Sequence, residues 1–265
     1  MTVFIAGTGY IPAGTDASSS LARELRRADG FISLAVQAGS AALGRESSNL
    51  SRSGRRGLIL GTAFGPMQTN FEVLDQVVHH EQTSPTLFSH SVFNAAAGYL
   101  SRIFKLQGSA LTVTDFAFPF FQALQQGSMA ISSGRLASCL VLQVETYSQL
   151  LTDARSRIAG NEAGQWLGGA VAWLLTGDRG NHAQEMTAID VHLRPASESD
   201  YLTIDARLTC ASHALAIDSP LGAAVTVTGI ITESPVKEQT IHITAPYGSI
   251  ELSFRCHHPS PEKEK

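Results

Sequence analysis

Apolar residues along this chain fall into two alternating patterns, short unbroken runs and longer helical stripes. The runs lie at 3–6, 57–62, 110–114, 139–145, 170–175 and 188–193, and their β-branched, apolar content predicts buried strands. The stripes, at 31–43, 67–80, 91–104 and 119–133, repeat at helical spacing and predict helices. Alternation of the two implies an α/β layered fold on a mostly parallel sheet. Beyond Leu193 the pattern thins to a polar stretch reaching Asp205, a helix over 221–232, and strands near 241–244 and 250–254. Polar, serine-rich 47–56 reads as a surface loop, 177–181 as a turn, and the charged tail 259–265 as disordered.

One junction stands apart. The strand at 109–114 leads into the helix at 119–133, which Gly134 terminates, and a further strand completes a β-α-β unit. Many α/β enzymes hold a nucleophile at such a strand-to-helix turn, where the helix N-terminus stabilises developing negative charge. Here the turn reads Phe116-Ala117-Phe118-Pro119-Phe120-Phe121, without Cys, Ser or Thr from Asp115 to Phe121. These rings have two readings, core packing or the lining of a site that has lost its nucleophile. Asp115 reads as a solvent-exposed cap for the following helix, the alternative being a buried carboxylate held by amides near Phe120 and Phe121.

Composition narrows the classes. In 265 residues, 43% apolar and 16% charged content suits a well-buried globular chain. A formal charge of −4 leaves no basic footprint for nucleic acid or an anionic membrane, and Arg52, Arg55 and Arg56 read as a solvated loop. No apolar run is long enough to span a bilayer, and residues 1–7 read as a first strand, without the charged start of a signal peptide. Three cysteines make no disulfide framework, so a cytoplasmic protein is expected. Gly7-Thr8-Gly9 lacks the third glycine of a dinucleotide site and reads as a tight turn. His79-His80-Glu81 and Cys256-His257-His258 lack a second ligand pair at metal spacing, and no Gly-x-Ser-x-Gly elbow occurs.

Several ordered motifs carry a resemblance. They are Gly61-Thr-Ala-Phe-Gly65-Pro66, Phe88-Ser-His-Ser-Val-Phe-Asn-Ala-Ala-Ala-Gly98, Leu106-Gln-Gly108, Leu111-Thr-Val-Thr114 and Ser132-Ser-Gly134-Arg-Leu-Ala137, with Gly168-Gly-Ala-Val-Ala-Trp173 beyond. In this order they resemble the N-terminal half of β-ketoacyl synthases. Aligned on Gln122-Ala123-Leu124, the resemblance puts Ala117 where that family carries its cysteine. Asp218-Ser219-Pro220-Leu221-Gly222 is similar to a histidine loop of the family with Ser219 in the histidine's place, and Tyr247-Gly248 echoes a glycine-rich turn.

The resemblance implies a thiolase-like layered α/β fold with a well-matched N-terminal half and a shortened C-terminal half. It implies one domain over 1–258, divided at 180/181, followed by the tail. Decarboxylative condensation needs a thiolate and donors to an enolate; Ala117 cannot form the thioester, and with Ser219 in one histidine's place and no His-Gly-Thr-Gly-Thr-like motif, both of the family's histidines are missing. The chain is therefore expected to be a non-catalytic chain-length-factor-like subunit, similar to those of aryl polyene clusters. Such a subunit pairs with a catalytic β-ketoacyl synthase and meets the acyl carrier protein only indirectly, with no cofactor or metal. The resemblance places the interface along 110–114 and near 89–99. Phe93, Asn94, Thr112, Thr114, Asp115, Phe116, Phe118, Phe120 and Phe121 would then line the interface or the end of the partner's acyl tunnel. Two other readings stay open: an enzyme using His90, Asp115 or His213, and a stand-alone acyl-binding or scaffolding module.

Overall fold

The computed structural model describes residues 2–44, 55–159, 166, 168–180, 184–194, 206–210, 213–217, 219–233, 237–245 and 247–257. The elements in chain order are β1 (Val3–Pro12), α1 (Ala22–Leu25), α2 (Gly30–Leu43), β2 (Arg56–Thr62), α3 (Met67–Val78), α4 (Pro85–His90), α5 (Ala95–Ile103), β3 (Ala110–Thr114), α6 (Pro119–Ser132) and β4 (Ser138–Glu145). They continue with α7 (Gln149–Ala159), β5 (Gly169–Thr176), β6 (Gln184–Leu193), β7 (Ala206–Cys210), β8 (His213–Ile217), α8 (Gly222–Glu233), β9 (Glu238–Ala245) and β10 (Gly248–Cys256). The expected tail and most of the expected 47–56 loop lie outside the described residues, as does the stretch 195–205.

Ten strands form one sheet in the order β3-β2-β4-β5-β1-β6-β10-β9-β7-β8. The order is a mirrored repeat. Within the first five strands by sequence it runs third, second, fourth, fifth, first, and the last five give the same series backwards. The helix joining the third and fourth strands of each set, α6 or α8, lies on one common face with a shared apolar core. Helices α2 and α5 cover the other face of the first half. Strands β4 and β5 are buried along their whole length. Their residues alternate between the two cores: Cys139, Val141, Val171, Trp173 and Leu175 face α6 and α8, whereas Leu140, Leu142, Ala170, Ala172 and Leu174 face α2 and α5. That two-sided burial explains the unbroken apolar runs.

The sheet is not mostly parallel. Only β2–β3 and β2–β4 pair in parallel, and the other pairings among the described strands are antiparallel. Parallel neighbours need a long crossover, but β7 and β8 are separated by residues 211–212 alone and can only form a hairpin. The outer face of this second half differs accordingly. In β9 and β10 the inward positions Ile241, Ile243, Ile250, Leu252 and Phe254 join the core, while Glu238, His242, Thr244 and Glu251 point outward and are exposed. A polar outer face needs no covering helix, which is how a shortened half remains stable.

Gly7-Thr8-Gly9 is not a turn. It lies inside β1, paired with β5 from Gly7↔Leu174 to Gly9↔Ala172. The glycines serve the helix behind the strand: a Cβ on Gly7 would lie 2.1 Å from the Ala42 carbonyl oxygen, and one on Gly9 2.6 Å from that of Ala38. The expected helix over 91–104 is shorter, with α5 covering Ala95–Ile103, and a separate helix, α4, precedes it. Ser84 caps α4, with the Leu87 amide donating to its Oγ at 3.3 Å and Pro85 opening the helix, and α5 starts only at Ala95. No helix among the described residues is long and apolar enough to cross a membrane.

These contacts set a contrast between two glycines. Gly7→Ala forces backbone against backbone and is expected to destabilise by on the order of 3 kcal/mol. Gly229→Ala, in α8 with nothing within 4 Å of the new Cβ, should stabilise by about 0.5–1 kcal/mol through helix propensity. Urea denaturation of both variants checks the pair, and equal effects would refute the packing argument.

Candidate functional site

The turn that follows β2, residues 62–65, is the centre of the site. It sits at the C-terminal ends of three parallel strands, where α/β sheets gather their ligands. Its fastening is Glu145, the last residue of β4, which is fully buried. The Ala63 amide donates to its carboxylate at 2.7 Å, the Gln143 amide at 2.9 Å, and the Phe64 amide and Thr62 hydroxyl at 3.4 Å. Thr62 Oγ1 in turn accepts from the Gly65 amide at 2.8 Å. Burial raises the Glu145 pKa from its ordinary 4.5 to about 7, because these donors only partly offset the desolvation of a charge. Gln143 Oε1 is buried without a partner.

Aromatic rings collect around the fastened turn. Phe64 meets Phe116 edge-on with centroids 5.4 Å apart, stacks on Trp166 at 5.3 Å, and contacts Tyr147 at 5.9 Å. Phe116 also meets Tyr247 at 6.3 Å, as Phe118 does at 6.4 Å. The Phe93 ring lies over Gly65, whose φ is +64° and whose Cβ, if present, would stand 2.6 Å from the ring. Both conditions call for glycine there.

The residues singled out in the sequence divide sharply. Phe118, Phe120 and Phe121 point into the chain's own core, Phe120 lying edge-on to Trp173 at 5.1 Å. Phe93 is exposed at 41%, Phe116 is half-buried, and Asn94 is exposed at the start of α5. Asp115 is half-buried and is not the helix cap: its carboxylate accepts from the Phe118 amide at 2.8 Å, closing the 115–118 turn, while Phe118 occupies the cap position. Thr112 and Thr114 lie on β3, which is an edge strand and not a buried one. Ala110, Leu111 and Thr114 are exposed on it, and Thr112 Oγ1 is buried without a partner.

Ala117 stands two residues before α6, packed against the shared core, and Ser219 is buried three residues before α8, where its Oγ accepts from the Gly222 amide at 3.1 Å. Two helix N-termini thus face one side of the sheet, the first beside a methyl group and the second beside a hydroxyl engaged in its own turn. Cys139 offers no substitute nucleophile, since burial pushes its thiol up to about 12. His90 Nε2 lies 3.0 Å from the Tyr99 hydroxyl, and the side chain of His213 lies outside the described residues. Among the described residues no three metal-ligating side chains gather, and His257 instead hydrogen-bonds Glu185.

Sequence reasoning missed Glu145 as the anchor, although a signal existed. Gln143 and Glu145 are two polar residues, spaced two apart, ending a wholly apolar strand, and so they share one buried face.

The β-ketoacyl synthase N-terminal domain family matches residues 37–217. Among curated proteins none matches. A chain of AntDE:AntF, a type II polyketide synthase acyl-carrier protein in complex with its ketosynthase bound to the hexaketide, is similar at TM-score 0.73 and 16% identity, over 97% of this chain and 99% of that one. A chain of the ketosynthase ApeO in complex with its chain length factor ApeC, from Xenorhabdus doucetiae, gives TM-score 0.60 and 16% identity over 96% and 99%. The ishigamide ketosynthase/chain length factor gives 0.61 and 16% over 73% and 68%. The mixed α/β architecture is therefore the thiolase-like ketosynthase fold, in a short form.

Glu145 sets a pH dependence. Between about 4.5 and 7 the folded chain keeps a proton that the unfolded chain releases. Its contribution to stability is complete below pH 4.5 and is lost as pH rises through 7, a fall on the order of 3 kcal/mol. Glu145→Gln, whose amide oxygen can still accept from the Ala63 and Gln143 amides, should flatten that part of the profile. Urea midpoints across pH 4.5–8 check this, and an unchanged slope in the variant would show that Glu145 does not titrate there.

Proposed function

The chain belongs to the β-ketoacyl synthase family, and we propose that within it the chain is a non-catalytic, chain-length-factor-like subunit. It pairs with a catalytic ketosynthase and shapes that partner's acyl tunnel. The observation that carries this reading is the turn before α6. At the position that resembles the family's nucleophile stands Ala117, with the Phe116 and Phe118 rings on either side and no thiol or hydroxyl from Asp115 to Phe121. Condensation by way of a thioester has no atom there to start from.

The free edge of β3 supports a partner. Among the described strands it pairs with β2 alone, and it carries Leu111 at 50% exposure. Val92 and Phe93 before α5, Phe88 on α4, and Leu74, Val77 and Val78 on α3 are exposed as well. An uncapped apolar edge is a liability unless another chain covers it. Phe93 and Phe116, the least buried rings of the cluster, are the ones free to close the tunnel, with Phe118, Phe120 and Phe121 holding the turn from behind. By its similarity to the systems compared above, the pathway is of the type II polyketide or fatty-acid-like kind, with an aryl polyene as the favoured product. A carrier protein would then deliver the chain to the partner.

Co-expression with the ketosynthase encoded nearest to this chain, followed by size-exclusion chromatography and product analysis, tests the reading. A one-to-one complex is expected, and Phe116→Ala or Phe93→Ala should lengthen the product by at least one extension unit. Separate elution of two soluble proteins would overturn it in favour of a stand-alone acyl-binding module.

The edge itself makes a second prediction. Leu111→Asp should weaken the complex by at least about tenfold, since burying a leucine is worth about 2 kcal/mol. The circular dichroism of the isolated chain should stay unchanged, and retained co-elution at low micromolar concentration would exclude β3 from the interface.

A further inference from the structure

A second site lies away from the aromatic cluster, on the face of the sheet covered by α2 and α5. Between α1 and the C-terminal end of α5 opens a cleft of about 490 Å³ lined by Arg23, Glu24, Arg26, Arg27, Tyr99 and Arg102. Four arginines and a single acidic residue thus line one cleft, in a chain whose formal charge is −4. The ion pairs among the described residues involve none of the four arginines. Gathering unpaired like charges in one concavity raises the local potential and costs stability, a cost that an anionic ligand removes.

The walls are fixed. Leu25, buried at the end of α1, anchors its turn to the same core as Ala96, Ala97 and Leu100 of α5, leaving Arg23, Arg26 and Arg27 exposed. Arg102 sits 5.1 Å from the centroid of the Tyr99 ring, and the Tyr99 hydroxyl is held by buried His90. Packing against the ring positions the guanidinium while leaving its edge N–H groups free to donate. Planar forks of this kind match the oxygens of phosphate groups two at a time.

We propose that this cleft binds a small polyanion carrying at least two phosphate-type groups. A single phosphate neutralises at most two of the four guanidinium charges, so the lining calls for more than one. The concave shape, with donors on both walls, fits a compact ligand better than a flat acidic surface.

Isothermal titration calorimetry of the full chain with inorganic pyrophosphate, at matched ionic strength in sodium chloride, tests the proposal. Saturable one-to-one binding with Kd below about 1 mM is expected. Arg26→Gln and Arg102→Gln should each weaken it by about tenfold or more, while Arg157→Gln on α7, outside the cleft, should leave it unchanged. Orthophosphate should bind at least about tenfold more weakly than pyrophosphate. Should Arg102→Gln disturb folding through its lost ring contact, Arg26→Gln decides the outcome, since Arg26 makes no ion pair or ring contact to lose. The proposal is overturned if the heats do not saturate, if both cleft variants bind as the parent does, or if orthophosphate binds equally well.

Discussion

The arrangement of the site depends on one buried carboxyl. At the end of β4 the sheet is dry on both faces, and the chain leaving β2 must turn there with its amides pointing inward. Buried amides without acceptors are costly, and so is a buried carboxylate without donors. Glu145 and residues 62–64 offset each other's cost in part. Desolvation still exceeds what the donors return, which is why the group titrates near neutrality while remaining the anchor. The turn then holds Phe64, Phe64 positions Phe116, and Gly65 makes room for Phe93. The rings facing outward are therefore fixed by a polar contact two layers behind them.

The second half shows what the fold can lose. Its strand order repeats the first half in reverse, and it keeps the one helix, α8, that packs with α6 over the common core. Strands β7 and β8 pair directly as antiparallel neighbours, and the outward positions of β9 and β10 are polar. What remains is the inner layer, the part that supports the turn at Ala117 and the segment at Ser219.

Much of this was legible in the sequence, because two-sided burial writes continuous apolar runs and amphipathic helices write stripes. The strand at 110–114 was read to the residue, and the helix 119–133 to within one residue of its end. Failures came where a local signal had a tertiary cause. Gly7 and Gly9 look like a turn, yet they are bare so that α2 can lie against β1. Strands β7 and β8 hide in Ala206–Cys210 and His213–Ile217, whose two-residue connection lacks the Asn-Gly type of turn signal. Strand direction was misjudged because alternation of strands and helices does not reveal which strands lie side by side. The run at 110–114 reads as a buried strand yet lies exposed at the sheet edge, since apolar content alone does not separate an edge position from a central one.

Under the function proposed here, the rings must resist a growing chain, and magnitudes show whether they can. Each methylene that enters an apolar tunnel gains about 0.8 kcal/mol. An aromatic edge-to-face pair is worth about 0.5–1.5 kcal/mol beyond its burial. Phe116 makes two such contacts, with Phe64 and with Tyr247. Displacing it would therefore cost about 1–3 kcal/mol, more than a single methylene returns. An aliphatic side chain in the same place would swing aside at a smaller cost, having no ring partners to leave. A wall of mutually braced rings accordingly stops a chain at a sharper length than a wall of equal volume built from leucines. That difference gives a physical reason for a cluster of phenylalanines beside Ala117, where a nucleophile would otherwise stand.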